Sequence, residues 1–116
     1  MTIFIDFKKA FDTVDFGILL DRLSKLGVRN KCLSWFESYL RGRSVKVVIN
    51  NKVSQAYPLN CGVPQGSVLG PLLFLIYVDS MRFFVPGYLT SFADDTAITV
   101  IAKSLPDLRD QANSAL

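Results

Sequence analysis

An aspartate closes a short apolar run at the start of this chain, Ile3-Phe4-Ile5-Asp6-Phe7, and a second acidic site, Asp94-Asp95, parts two β-patterned runs near its end. That arrangement constrains the fold more than any other feature. Thr2 to Asp6 is short and rich in Ile and Phe, the pattern of a buried strand. Tyr88 to Phe92 and Thr96 to Ala102 read as two strands around an Asp94-Asp95 turn. A carboxylate at a strand end and a carboxylate pair in a hairpin turn would repel one another unless a cation neutralised them. Mg²⁺ prefers oxygen ligands and keeps waters and phosphates in its shell. An acid set without histidine therefore suits Mg²⁺ better than zinc. Two such ions roughly 3.5–4 Å apart can clamp the attacking and leaving oxygens of a phosphoryl transfer. The plainer reading of Asp94-Asp95 is a polar turn, since Asp favours turns. That reading is weaker for Asp6, because an unpaired carboxylate after a buried strand would be costly.

The interior of the chain supplies the helices. Asp15 is placed to cap a helix carrying Ile18, Leu19, Leu20, Leu23 and Leu26, stopped by Gly27. Asn30 could cap a second helix with Leu33, Trp35, Phe36, Tyr39 and Leu40, ending near Gly42. Its aromatics fall at helical spacing and read as core. Ser44 to Ile49 and Val53 to Leu59 are β-rich, with Asn50-Asn51-Lys52 as a hairpin turn. The loop Gly62-Val63-Pro64-Gln65-Gly66-Ser67 leads into an apolar helix from Ser67 to about Phe83, with Pro71 tolerated near its start. Pro86-Gly87 breaks the chain. Ser104 to Leu116 is a terminal helix with Ser104 as its cap. Strand, helix, helix, hairpin, helix, hairpin, helix is the order of an α+β layer fold, with helices on one face of an antiparallel sheet.

At 116 residues this is one domain, and a chain that is 50% hydrophobic can bury a core. A net charge of +3 permits a polyanionic partner without demanding one. Cys32 and Cys61 are the only cysteines and there is no histidine, so a Cys/His zinc site within the chain is excluded. The two cysteines read as reduced core thiols. Lys8 and Lys9 follow the first apolar run instead of preceding it, unlike a signal peptide. The longest apolar stretch, Val68 to Val78, is about half of the roughly 20 residues a membrane-spanning helix needs. The expectation is an intracellular protein of the nucleus or cytoplasm, with no membrane segment.

Two more groups carry chemistry. Glycines flank Val63-Pro64-Gln65, so a ligand can approach the backbone, and Gln65 both donates and accepts hydrogen bonds. Alone, this is equally a loop-to-helix transition. Asp12 and Asp15 lie near Asp6; Asp15 reads as a cap, while Asp12 stays undecided between a ligand and a residue that orients the local backbone. Asp21, Asp79, Asp107 and Asp110 read as solvated or capping.

Taken together, Ile5 to Val14, Gly62 to Pro71 and Phe92-Ala93-Asp94-Asp95 resemble, in order and separation, three motifs of reverse transcriptases of non-LTR retrotransposons. The resemblance covers roughly residues 1 to 102. It implies a polymerase palm over 1–102, a terminal helix over 103–116, and fingers and thumb outside these residues. It implies RNA-directed DNA polymerisation with an RNA template, a DNA primer, deoxynucleotides and two Mg²⁺ ions, or Mn²⁺ in their place. Asp6 and Asp94 would ligate both metals, Asp95 would complete the triad, and Phe7 would add a backbone carbonyl. Phe11 would be the steric gate that excludes a ribose 2′-OH, and Gln65 and Gly66 would line the nucleotide and template pocket. RNA-dependent RNA polymerases usually carry an aspartate where Phe11 stands. A large apolar ring can exclude the hydroxyl but cannot hydrogen-bond it, which points to deoxynucleotides. Without the motif around it, Phe11 would read as a core aromatic. Phe16 stands where many relatives have histidine, at a position expected to be structural.

Three other readings compete. A truncated, inactive remnant of a mobile element would keep the motifs without activity. A small RNA-binding module would stack bases on exposed sheet aromatics, but the aromatics here lie mainly in apolar contexts. A two-metal nuclease would leave Phe11 and the Gln65 loop unexplained.

Overall fold

A computed structural model describes residues 1–85, 87–92 and 94–114. Pro86 of the expected break, Ala93 of the third motif and Ala115-Leu116 of the terminal helix lie outside the described residues. Strand β1 (Thr2–Asp6) is followed by a 3₁₀ turn (Ala10–Asp12) and helices α1 (Phe16–Lys25) and α2 (Asn30–Leu40). Four two-residue strands follow: β2 (Ser44–Val45), β3 (Val48–Ile49), β4 (Lys52–Val53) and β5 (Tyr57–Pro58). Helix α3 (Leu69–Val78) runs into a 3₁₀ turn (Asp79–Phe83), and β6 (Tyr88–Phe92), β7 (Asp95–Thr99) and α4 (Leu105–Ser114) complete the chain. The α+β class is as expected.

The two ends of the chain meet in one sheet of order β1-β7-β6, antiparallel throughout. Its register sets three rows across the strands: Asp6-Asp95-Phe92, Phe4-Ala97-Thr90 and Thr2-Thr99-Tyr88. Opposed residues share a face, and this face is open. Phe4 is 84%, Phe92 81% and Tyr88 69% exposed. The other face carries the buried Thr96 and Ile98. The expectation of a buried β1 is therefore corrected. Only Ile3 and Ile5 are partly covered, and Asp6, being exposed, incurs no burial cost.

A second body of core lies under the helices. Val14, Phe16, Leu19, Leu23, Leu40, Val63, Leu73 and Phe74 form one buried cluster. Each fully buried Leu contributes roughly 1.5–3 kcal/mol relative to exposure. Phe16 is structural, as expected: it is buried, and the Arg43 guanidinium lies 5.8 Å from its ring centre. Asp15 caps α1, its Oδ1 accepting from Ile18 N at 2.9 Å, a contact worth about 1 kcal/mol. Ser104 caps α4, its Oγ accepting from Asp107 N and donating to Asp107 Oδ2. Lys25–Asp21 and Arg82–Asp79 are exposed ion pairs, as expected of solvated carboxylates.

Other expectations need correction. Asn30 is not a side-chain cap; it is the first residue of α2, at φ 53°. Trp35 is 50% exposed and stacks on Tyr39 at 5.2 Å, so that pair is half surface. Cys32 and Cys61 are free, as expected, but exposed instead of buried. Asp95 is the first residue of β7 and does not lie in the turn. The apolar helix starts at Leu69 and tightens to 3₁₀ after Val78. Ser67 Oγ still accepts from Gly70 N at 2.9 Å, which serves the helix start.

The middle hairpin is interrupted. Val48 pairs Val53 and Ile49 pairs Lys52 around Asn50-Asn51, both at positive φ, as a two-residue primed turn requires. Ser44 pairs Pro58 and Val45 pairs Tyr57, a register shifted by one residue. The extra residue on the second strand is a bulge, and all four short strands are exposed. The Cα radius of gyration is 18.1 Å, against about 13 Å for a compact chain of this length. No helix among the described residues is long and apolar enough to cross a membrane.

Candidate nucleotide and metal site

The antiparallel register puts Asp6 directly opposite Asp95 at one end of the open sheet face. Side chains so placed have Cβ atoms about 4.5–5.5 Å apart, and like charges there are unfavourable. Both residues are exposed and neither makes a hydrogen bond or ion pair through its side chain among the described residues. Two opposed carboxylates offer an all-oxygen donor set for a hard divalent cation. Asp94 is a turn residue immediately before β7 and is half-buried. No group of three acidic, Cys or His side chains gathers as a metal cage among the described residues. Of the expected carboxylates, the register sets Asp6 and Asp95 opposite one another. Phe7 O accepts from Ala10 N at 3.2 Å, which leaves one carbonyl lone pair free.

The first and second motifs dock on one another. Gly62 N donates to Val14 O and Val63 N donates to Phe11 O, each at 2.8 Å. Gly62 has φ 87°, and a Cβ there would stand 2.9–3.1 Å from the backbone of Asp12. Only glycine allows that approach. Arg43 holds the same loop from the other side. Its Nε donates to Leu40 O at 2.9 Å and its Nη2 to Gly62 O. Arg43 carries no motif signal of its own, and nothing in the sequence singles it out.

The docked motifs border a cleft of ≈ 350 Å³ lined by Phe11, Pro64, Gln65, Gly66, Ser67, Gly70 and Pro71. Phe11 is half-buried and its ring lies 4.9 Å from that of Phe74, so it is held as a wall. Gln65 also lines a second cleft of ≈ 540 Å³, with Lys9, Asp12, Arg43, Cys61 and Gly62 among its other walls. Gln65 Nε2 donates to Asp12 Oδ1 at 2.7 Å, a partner the sequence did not suggest for Asp12. The structure therefore brings Phe11, Gln65 and Gly66 to one cleft and Asp6 and Asp95 to one sheet end.

The exposed aromatics of the open face are a further feature, and of them only Phe92 falls in a motif. Phe4 and Asp6, and Tyr88, Thr90 and Phe92, alternate with period two. That spacing puts Phe4 on the face of Asp6, and the pairing of β6 with β7 adds Tyr88 and Phe92 to it.

Over residues 1–111 the chain matches the family described as "Reverse transcriptase (RNA-dependent DNA polymerase)". It is 33% identical over 114 residues to "Probable RNA-directed DNA polymerase from transposon X-element" of Drosophila melanogaster, covering 94% of this chain and 12% of that protein. It is 33% identical over 110 residues to "RNA-directed DNA polymerase from mobile element jockey" of the same organism, covering 88% of this chain and 12% of that protein. A third relative there, "Putative 115 kDa protein in type-1 retrotransposable element R1DM", is 34% identical over 110 residues, 93% of this chain and 10% of that protein. The chain spans about a tenth of the length of these curated relatives.

Proposed function

The chain belongs to the reverse transcriptase family, and from that premise we propose that it is the palm of a non-LTR retrotransposon polymerase, adding deoxynucleotides to a primer on an RNA template. The observation that carries the reading is the opposition of Asp6 and Asp95 at one end of the open sheet. Like charges so placed call for a cation, and the family's chemistry uses divalent ions.

Asp6 and Asp95 would hold such an ion, Mg²⁺ by their oxygen donors, with Asp94 and the Phe7 carbonyl as the remaining protein groups of a two-ion site. Divalent ions bound there supply charge neutralisation and orientation for in-line phosphoryl transfer. The rest of the work falls to this chain's own residues. Gln65 and the Gly66 backbone form one wall of the nucleotide cleft, with Phe11 opposite. Phe11, backed by Phe74, sets a large apolar ring against a 2′-OH and has no group to bond it, so the sugar selected is deoxyribose. Thr96, Ile98 and Val100 anchor the sheet from its covered face, which keeps the acid row fixed as charge develops on the phosphoryl group.

The test is primer extension by this chain on a primed RNA template with Mg²⁺ and deoxynucleotides, beside an Asp94→Asn/Asp95→Asn control. Extension lost in the control supports the reading. A folded chain that extends no primer turns it toward an inactive remnant. Phe11→Val in an active polypeptide is expected to admit ribonucleotides, and unchanged sugar selectivity would remove the gate role.

One observation favours a second reading. Phe4, Tyr88 and Phe92 are exposed on a single sheet face, the arrangement on which RNA-binding sheets stack bases. This counters the expectation that the aromatics are internal. If it holds, single-stranded RNA binds without Mg²⁺ and Phe92→Ala weakens that binding; equal affinity of the variant would dismiss it.

A further inference from the structure

We propose that Asp12 is a positioning residue that sets which edge of the Gln65 amide meets the nucleotide. The inference rests on the reading of the Phe11–Gln65 cleft as a nucleotide site. A carboxylate accepts hydrogen bonds and donates none, so Gln65 must turn its NH₂ toward Asp12. The 2.7 Å contact across 53 positions is of the charge-assisted kind. With its nitrogen so engaged, the carbonyl oxygen on the other arm of the amide has no partner among the described residues. An amide oxygen left without an internal partner is an acceptor open to a ligand. It suits a donor on the nucleotide, a sugar hydroxyl or a base amino group.

Both ends of this latch are fixed by backbone. Asp12 N donates to Lys9 O at 2.9 Å, and Lys9 itself sits at φ 54°. Gly62 lies against the Asp12 backbone at a distance no Cβ could share. On the Gln65 side, the loop is tied by Val63 N to Phe11 O, and Ser67 Oγ donates to Pro64 O at 2.7 Å. Gln65 is otherwise an exposed, three-torsion side chain between two clefts. Without Asp12 its amide can turn either edge to a ligand.

The test exchanges the partners. Asp12→Ala frees the amide. Gln65→Glu sets two carboxylates against each other. Asp12→Asn combined with Gln65→Glu restores a donor-to-acceptor contact with its direction reversed, and the second carboxylate oxygen at position 65 still faces the cleft as an acceptor. Dissociation constants for dATP, its 2′,3′-dideoxy analogue and a purine analogue lacking the amino group are measured on the 116-residue chain with Mg²⁺, alongside the NMR signal of the Gln65 side-chain amide and thermal unfolding. Asp12→Ala is expected to weaken dATP roughly three- to tenfold and to narrow its preference over the analogue that lacks the donor Gln65 reads, with unfolding unchanged. The double variant is expected to return within about twofold of the parent, while Gln65→Glu alone does not. The inference is overturned if Asp12→Ala binds all three ligands as the parent does, or if the double variant is no better than Gln65→Glu. A parent chain that binds no nucleotide fails the cleft reading itself and this inference with it; a parent that binds normally beside an unaffected Asp12→Ala fails this inference alone.

Discussion

Asp6 and Asp12 lie six residues apart on one segment, yet the fold treats them in opposite ways. Asp12 is given a donor: the Gln65 amide, 2.7 Å away, with the backbone around it clamped by Gly62. Asp6 is given another carboxylate, Asp95, directly across the strand. One charge is satisfied from within the chain and the other is set against its like. A sheet tolerates such an opposition when the carboxylates are exposed to water or when a ligand brings the missing charge. The contrast separates an acid paired within the chain from two acids with no side-chain partner among the described residues.

The largest effect should come from the unsatisfied side. In a polypeptide of this family that extends primers, Asp94→Asn/Asp95→Asn is expected to lower extension more than about a hundredfold, beyond the loss typical of an outer-shell partner. Asp15→Ala, which removes only the α1 cap, is expected to leave extension near the parent level. If the cap variant loses as much as the aspartate pair, activity tracks folding and the acids have no special role.

The satisfied side should break through its backbone. Gly62→Ala forces a Cβ to within 3.1 Å of Asp12 and places a non-glycine residue at φ 87°. A destabilisation of about 1–3 kcal/mol is expected from the backbone conformation alone, read by denaturant unfolding. Gly66→Ala also meets positive φ, at 73°, but with nothing near its Cβ. It should cost less, and an equal loss at both positions would mean that close approach to Asp12 adds nothing.

The two sides are legible in the sequence to different degrees. Strand β1, the Asp15 cap, the end of α2 before Gly42 and the Ser104 cap follow from local rules, and each stands where those rules put it. The Phe11, Gln65 and Gly66 positions come from motif order, and their meeting in one cleft needs a contact spanning 53 positions that no local pattern encodes. Burial is hidden for the same reason. Phe4, Tyr88, Phe92 and Trp35 are apolar enough for a core, but whether a face is covered depends on what packs over it. Here α1, α2 and α3 share their own core, and the sheet's Asp6 face stays open. The hairpin bulge is likewise invisible, because a one-residue register shift leaves the β-rich composition unchanged.

The smallest effect is the most direct measure of the contrast. Without divalent ions, Asp95→Asn should raise stability by a few tenths of a kcal/mol, the size of a like-charge cross-strand term. The gain should shrink at high salt, since both groups are exposed and screened. Asp12→Asn should give no such gain, because its carboxylate already has a donor. Adding Mg²⁺ should then reverse the first order: an ion that binds only the folded parent stabilises it in proportion to ln(1 + [Mg²⁺]/Kd), and Asp95→Asn forfeits that term. Thermal unfolding of the three chains with and without Mg²⁺ reads both signs. If Asp95→Asn and Asp12→Asn respond alike in both buffers, the opposed carboxylates carry no strain for a cation to relieve, and the distinction between the two acids fails.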